Sequence, residues 1–171
     1  MRLLAVVLAS AAAMVAMTAP AALAPPARMT LDGVAGARPG MGVAAVSAAW
    51  GLRLRPTYEV RPGCGQAFVD ERGLEGYAIF MPRGRFGALF LRKGAVTGKG
   101  IRIGSTLAQL QRAYATLTSR PDRYLHGSRN YFLRRARAPH WHLRFDVGRT
   151  KRVTQIAFGS RESVQLDEGC A

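Results

Sequence analysis

A glycine-studded loop with a lysine, followed by a hydroxyl residue and a helical pattern, is the segment of this sequence most suggestive of a phosphate-binding site. It runs from Gly94 to Leu117 and reads GAVTGKGIRIGSTLAQLQRAYATL. A P-loop requires G-x-x-x-x-G-K-[ST], because its backbone amides cradle the phosphates and its hydroxyl binds magnesium. Here the spacing from Gly94 to Gly98 is one residue short, and Gly100 follows Lys99 where the hydroxyl is needed. We therefore predict that the chain binds no nucleotide.

Two closely spaced histidines could belong to a metal site. His140 and His142 are two positions apart, so on a strand they would share one face with Arg144 and Asp146. Two imidazoles could bind zinc or copper with a third ligand, but the charge of Arg144 would repel a cation. The alternating residues are aromatic or aliphatic, which predicts a core on their side and solvent on the histidine side. We therefore predict a solvated strand face and no metal.

Residues for nucleophilic or acid–base catalysis form no recognisable pattern. The sequence has no G-x-S-x-G motif, two cysteines and ten acidic residues. The adjacent acids Asp70 with Glu71 and Asp167 with Glu168 fall in predicted loops, where charge favours solubility. We predict that the protein is not an enzyme and uses no cofactor.

Arginine dominates the charge of the protein. The formal net charge is +15, and 22 of the 25 basic residues are arginine. This charge can attract polyanions, although a GC-rich genome also enriches Arg together with Ala and Gly. In the densest stretch, RNYFLRRARAPHWHLRF, arginines beside aromatic residues could bind phosphate. They could also protect a sheet edge against pairing, which is the interpretation we favour. The candidate anion-binding residues are Arg129, Arg134, Arg135, Arg137 and Arg144.

The N-terminus has the features of a secretory signal peptide. Arg2 supplies a positive charge, residues 3–15 are apolar or small, and Ala22-Leu23-Ala24 fits the A-x-A pattern of a cleavage site. The apolar run is short for a membrane span, and no second run follows. We predict a signal peptide at 1–24 and a single exported domain at 25–171, periplasmic or secreted, without a transmembrane segment.

The two cysteines, Cys64 and Cys170, predict a disulfide, because an even pair in an exported protein is typically oxidised. The bond would close a loop of about 105 residues and contribute at most roughly 4–5 kcal/mol in the chain-entropy model. It would tie the C-terminus to the middle of the domain.

Two segments of the chain are similar in sequence, and we expect them to form corresponding elements of the fold. GARPGMGVAAVSAAWG from Gly36 aligns without a gap with GIRIGSTLAQLQRAYA from Gly100. In each, apolar residues recur at steps of three and four, which predicts a helix packed through one stripe. The order of extended segment, helix and strands occurs twice, at about 30–95 and 96–171. We predict an α+β fold of two tandem repeats, each a helix plus antiparallel strands, with the helices packed on an antiparallel sheet.

Each repeat would begin at a corner between a strand and a helix. Gly40 and Gly104 stand at these corners, where a missing Cβ permits a tight turn. Thr106 and Gln109 form T-x-x-Q, which predicts a capping box at the start of the second helix.

The shared pattern G-x-R-x-G-[MS]-[TG]-x-x-x-[VL] resembles the repeat of the beta-lactamase-inhibitor-protein-like superfamily, which includes the SmpA/OmlA outer-membrane lipoproteins. Gly104-Ser105-Thr106 with Gln109 matches that repeat well, and Gly40-Met41-Gly42 matches it loosely. The resemblance implies a non-enzymatic protein-binding platform in the cell envelope. Lipid anchoring does not carry over, because the chain has no lipobox cysteine, and neither does beta-lactamase inhibition.

We expect a non-enzymatic exported protein that acts as a protein-binding or envelope-maintenance module. Its contact surface would be an exposed sheet face, and its partner another envelope protein. The alternative is a polyanion binder, for lipopolysaccharide or an anionic glycan, that uses the arginine-rich strand. A third hypothesis is an unrecognised hydrolase.

Overall fold

The structure is a computed structural model that describes residues 23–134 and 141–170. This part of the chain contains two helices, α1 (Val43–Trp50) and α2 (Leu107–Ala113). Its strands are β1 (Ala27–Thr30), β2 (Gly33–Val34), β3 (Thr57–Arg61), β4 (Cys64–Val69), β5 (Glu75–Met81), β6 (Arg85–Lys93), β7 (Ala95–Thr97), β8 (Thr118–Pro121), β9 (Arg129–Arg134), β10 (Trp141–Val147) and β11 (Val153–Ser160).

Eight strands form one antiparallel sheet in the order β3-β4-β5-β6-β11-β10-β9-β8. Its centre is the pairing of β6 with β11, in which Leu91 stands opposite Ile156. The strands β1, β2 and β7 form a separate small sheet, where β1 runs parallel to β7. The large sheet carries all the candidate anion-binding residues that the structure describes.

One face of the large sheet bears the main hydrophobic core, and we call it the core face. Trp50 from α1 and Leu110 from α2 join Phe80 and Phe86 of the sheet there, and all four are at most 1% exposed. The rings of Trp50 and Phe86 pack edge to face, with their centroids 5.3 Å apart. The indole nitrogen of Trp50 donates to the carbonyl oxygen of Val34 at 3.0 Å. The aromatic groups therefore fill the space between α1 and β6.

The C-terminal segment, residues 161–170, covers part of the opposite face, which we call the tail face. Val164 is fully buried there, in the same cluster as Phe90. Cys170 is bonded to Cys64 on β4, which confirms the predicted disulfide, and their Cα atoms are 5.5 Å apart. The bond therefore holds the end of the chain against the sheet.

Turns are present at both predicted corners, and each bonds to a central strand. The amide of Gly40 donates to the carbonyl oxygen of Phe86, and that of Gly104 to the carbonyl oxygen of Val153, both at 2.7 Å. The two glycines have φ angles of +94° and +87°, a region that disfavours residues with a Cβ. Each turn thereby attaches the start of a helix to β6 or β11.

The helix α2 begins at the expected capping box. The Thr106 hydroxyl accepts from the amide of Gln109 at 3.2 Å, and Gln109 Oε1 accepts from the amide of Thr106 at 2.8 Å. The helix ends at Ala113, whose carbonyl oxygen accepts from Lys99 Nζ at 2.8 Å. Lys99, which drew attention as a phosphate ligand, therefore binds a helix C-terminus.

The predicted α+β fold of two tandem helix-plus-strand repeats, with helices packed on a sheet, is wrong. The described residues are mostly β, with two sheets, and the two helices contribute only eight and seven residues. The pairing of β6 with β11 joins eight strands into one continuous sheet, so the sheet forms most of the core. The repeated segment covers only each corner and the helix that follows it, so it carries no information on how the surrounding strands associate.

No helix within residues 23–134 and 141–170 is long and apolar enough to cross a membrane. The predicted signal peptide at 1–24 lies almost wholly outside the described residues. Leu23, near the predicted cut, is fully buried, and its amide donates to the carbonyl oxygen of Trp50 at 3.0 Å.

Candidate functional site

A buried arginine lies at the centre of the tail face. Arg144 on β10 is 2% exposed, and two of its nitrogens bind Asp146 at 2.6 and 3.3 Å. Its Nη1 lies 2.7 Å from Asp167 and donates to the carbonyl oxygen of Val164 at 3.0 Å. A buried charge is costly unless it is both paired and hydrogen-bonded, and Arg144 meets both conditions. The network thereby joins β10 to the C-terminal segment.

Asn130 on β9 extends this network to a third carboxylate. It is fully buried and stands directly opposite Asp146 in the register of β9 and β10. In one orientation of the side-chain amide, both its nitrogen and its oxygen have hydrogen-bond partners. The nitrogen then donates to Asp146 and to Asp122 at 3.1 Å each. Its oxygen then accepts from Arg144 at 3.1 Å. Asn130 therefore holds Asp122, in the loop before β9, close to Asp146.

A second arginine holds the C-terminal segment from the edge strand β8. Arg120 Nη2 donates to both carboxylate oxygens of Asp167, at 3.0 and 3.2 Å, and to the carbonyl oxygen of Gln165 at 3.2 Å. The guanidinium lies 5.3 Å from the ring centre of Phe132, a distance typical of cation–π contact. The segment is therefore bound by strands β8 and β10 as well as by the disulfide.

Burial changes the ionisation of three groups on this face. Burial raises the pKa of Asp146, and the carboxylates of Asp122 and Asp167 raise it further, against the opposing charge of Arg144. Burial acts to lower the pKa of Arg144, but the charges of Asp146 and Asp167 outweigh it and raise that pKa. Burial also raises the pKa of Tyr77 to about 12. The site therefore keeps Arg144 charged and Tyr77 neutral.

A cavity of about 530 Å³ opens beside this network, and we call it the tail-face cavity. Residues of strands β4, β5, β6, β10 and β11, of the loop 122–128 and of the C-terminal segment line it. Four of the ten acidic residues of the chain line it: Asp122, Asp146, Asp167 and Glu168. In a protein of formal charge +15 this is a local concentration of the opposite charge. Asp146 and Asp167 are already paired with arginines, and Arg92 also lines the cavity. The negative charge that remains to favour a cationic group is that of Asp122 and Glu168.

Two exposed apolar side chains line the same cavity. Phe68 is 74% exposed and alternates along β4 with the buried residues Ala67 and Val69. Leu125, in the loop 122–128, is 63% exposed. Large apolar side chains grouped around a cavity are typical of binding surfaces, because they lose water when a partner covers them.

Asp122 determines the shape of the loop that presents Leu125. Its Oδ1 accepts from the backbone amides of Tyr124 and Leu125 at 2.9 and 2.8 Å. Its Oδ2 is the oxygen that Asn130 binds. The apolar rim and the buried network are therefore connected through a single carboxylate.

The structure does not bring the five candidate anion-binding arginines together. Arg144 is buried in the network and is not available to an external anion. Arg129 is half-buried and donates to a serine hydroxyl of β8 at 3.0 Å. Arg134 is exposed at the other end of β9. Arg135 and Arg137 lie outside the described residues.

The prediction that His142, Arg144 and Asp146 form a solvated face is wrong. His142 is 4% exposed, because β10 lies near the middle of the sheet and the C-terminal segment packs over its polar side. His140 lies outside the described residues. Within the described ranges, no three side chains of His, Cys, Asp or Glu are grouped so as to hold a metal ion.

Sequence reasoning did not detect the tail-face cavity. One signal was available for part of it, since the disulfide of Cys170 must bring Asp167, three residues earlier, close to the sheet. Asp122 and Asn130 gave no such signal, because their meeting with Asp146 depends on the register of β9 with β10. That register cannot be read from the periodicity of either strand.

No protein-family model matches this sequence, and no curated protein matches it. Among solved structures, a cysteine-rich secretory protein from Staphylococcus aureus subsp. aureus Mu50 has a similar fold, with a TM-score of 0.53 and 12% sequence identity. The match covers 87% of this chain and 53% of that one, so this chain spans about half the length of the Staphylococcus protein. At this identity the likeness shows the fold alone.

Proposed function

We propose that this protein is a non-enzymatic exported module that binds another protein of the cell envelope through the tail-face cavity. The observation that carries the proposal is the pairing of exposed Phe68 and Leu125 with four acidic residues in one cavity. Placement in the envelope is supported by the signal-peptide pattern and by the resemblance of the corners to the beta-lactamase-inhibitor-protein-like repeat.

A basic segment flanked by apolar residues has the chemistry that this surface complements. Its lysine or arginine would lie near Asp122 and Glu168, while its apolar side chains would pack on Phe68 and Leu125. Apolar and aromatic anchors contribute most of the affinity at such interfaces, and opposite charge increases the rate of association and the specificity.

The cavity is prepared for binding before a partner arrives. Asp167 is held by Arg120 and Arg144, and Asp122 is held by Asn130 and by its own loop. Little conformational entropy therefore remains to be lost on these groups when a partner binds.

Capture of partners from the native cells by tagged protein, followed by quantitative mass spectrometry, tests the proposal. The double variant Phe68→Ser/Leu125→Ser removes both apolar side chains from the rim. We expect it to retain about one tenth or less of the partner that the wild-type protein captures, as for loss of central anchors. Tyr58→Ser is the matched control, because Tyr58 is 41% exposed and its ring covers Gly65 on the core face. Equal capture by the double variant would contradict the proposal.

A second proposal is binding of a polyanion, such as lipopolysaccharide or an anionic glycan, through the arginine-rich strand. It is favoured by the formal charge of +15 and by the exposure of Arg134. Binding to immobilised heparin should then weaken steeply with salt and be lost when Arg134, Arg135 and Arg137 are changed to Ser. Unchanged heparin binding by that variant would rule it out.

A further inference from the structure

A smaller pocket of about 160 Å³ lies where β8, β9 and β10 meet the C-terminal segment. Its lining includes three arginines, Arg120, Arg134 and Arg161, and we call it the arginine pocket. Two of its other lining residues, Phe132 and His142, are buried, at 6% and 4% exposure. The pocket therefore combines cationic side chains with buried groups of the sheet.

The strand register brings these residues together from distant parts of the chain. Phe132 on β9 stands opposite Thr118 on β8, and Arg134 stands opposite His142 on β10. Arg161 directly follows the last residue of β11, the strand in which Gly159 pairs with His142. The three arginines come from three separate segments, so no run of basic residues in the sequence predicts this group.

The charge of the pocket is largely uncompensated. Among the residues that line it, none is acidic. Within the described ranges neither Arg134 nor Arg161, both exposed, has a carboxylate partner. Arg120 does have one, Asp167, but its hydrogen bonds there and to Gln165 all use Nη2. Among the described residues, no hydrogen bond uses Nε or Nη1 of Arg120, so these two donors can bind a ligand.

We propose that the arginine pocket binds a phosphate group, presented by a small phosphate monoester or by a phospholipid headgroup. Guanidinium groups match the oxygen atoms of phosphate in pairs, and each such bond is charge-assisted. A doubly charged phosphate suits three guanidiniums better than a carboxylate with its single charge. The small volume suits one terminal anionic group rather than a threaded glycan. The site shares Arg134 with the polyanion proposal but requires no extended polymer. It shares no lining residue with the tail-face cavity, to which it is joined by the bond between Arg120 and Asp167.

Titration of the full-length exported chain with inorganic phosphate, followed by NMR of the arginine side-chain Nε–H signals, tests the site. We expect saturable binding of one phosphate, with the largest shifts at Arg134 and Arg161. The double variant Arg134→Gln/Arg161→Gln should bind about tenfold more weakly or worse, since it loses two charge-assisted contacts. The matched control Arg28→Gln/Arg53→Gln removes the same charge from two exposed residues outside the pocket and should bind within about twofold of wild type.

Vesicles distinguish the two sources of the phosphate group. Phosphatidylcholine vesicles with phosphatidic acid should bind the wild type and the control but not the pocket variant, if the ligand is a headgroup. If only free phosphate distinguishes the variants, a soluble monoester is the ligand. Non-saturating phosphate shifts, or equal affinity of the pocket variant and the control, would overturn the proposal. The phosphate proposal would also be overturned if the wild type bound no phosphate while the pocket variant lost heparin binding. That result would leave the polyanion proposal standing.

Discussion

Replacement of the buried arginine gives the sharpest prediction for stability. Arg144→Met keeps much of the side-chain volume but removes the charge that faces Asp146 and Asp167. The Arg144 side chain is 3% exposed, and the two carboxylates are 15% and 13% exposed, so water replaces the lost partner only in part. Breaking one side of a buried ion pair costs about 3–5 kcal/mol, because the remaining charges are left uncompensated. A loss of that size is a large share of the total stability of a typical domain.

The pH dependence of the variant provides an independent check on the cause. The pKa of Asp146 is already raised in the folded wild type, and without Arg144 it rises further. A raised folded pKa means that the folded state binds the proton more tightly than the unfolded state does. The variant should therefore regain stability as the pH falls from 7 to 4, and its deficit relative to wild type should shrink.

Urea unfolding of both proteins at pH 7 and pH 4, followed by circular dichroism, measures the two deficits. Arg92→Met is the matched control, because Arg92 also lines the tail-face cavity but its pair with Glu75 is 3.5 Å long and about half exposed. The Arg92→Met substitution should lower the free energy of unfolding by no more than about 0.5 kcal/mol. A deficit for Arg144→Met below about 1 kcal/mol, or one that does not change between the two pH values, would refute the reasoning.

Three further changes have defined expected outcomes. Burial raises the pKa of Tyr77 from 10.0 to about 12 in the folded protein, so at pH 11 this side chain ionises mainly in the unfolded chain. Through Tyr77, the free energy of unfolding of the wild type should therefore be about 1.3 kcal/mol lower at pH 11 than at pH 9. Urea unfolding of Tyr77→Phe should lack that contribution, and an identical pH profile would contradict it. Removing the disulfide with Cys64→Ala/Cys170→Ala should lower the free energy of unfolding by about 2–4 kcal/mol. It should also increase the rate of hydrogen exchange of the backbone amides of residues 161–170. Unchanged protection of these amides would show that the ion pairs alone hold the segment. Thr106→Ala removes the side-chain cap of α2 and should lower the free energy of unfolding, measured by thermal unfolding, by about 1 kcal/mol. An unchanged free energy would mean that the cap does not contribute to stability.

The parts of the structure that depend on local sequence were predictable. Val43, Val46 and Trp50 recur at the steps of three and four that predict a helix, and α1 spans them. The strands β5, β6 and β11 are rich in apolar residues, which predicts buried strands. The disulfide follows from cysteine count and export. The edge strand β8 is Thr-Ser-Arg-Pro and carries almost no apolar signal, so its local sequence does not predict a strand.

The candidate sites were not predictable, because they depend on which strands become neighbours. The alternation of Arg144 with aromatic residues predicts that it lies on a solvated strand face, but the C-terminal segment covers that face. A strand with one apolar and one charged face normally has its charged face in water. The charged face of β10 is buried because Asp167, more than 20 positions further along the chain, pairs with Arg144. A contact over that distance cannot be inferred from the periodicity of the strand.

Site-specific photo-crosslinking tests the central claim, that the tail face binds a protein partner, most directly. A photoreactive phenylalanine analogue is placed at the position of Phe68 or, on the core face, of Tyr58, and the cells that produce the protein are irradiated. The account predicts a discrete protein adduct from position 68 that is absent from position 58 and diminished by Leu125→Ser. No adduct from position 68, or adducts of equal yield from both positions, would contradict it.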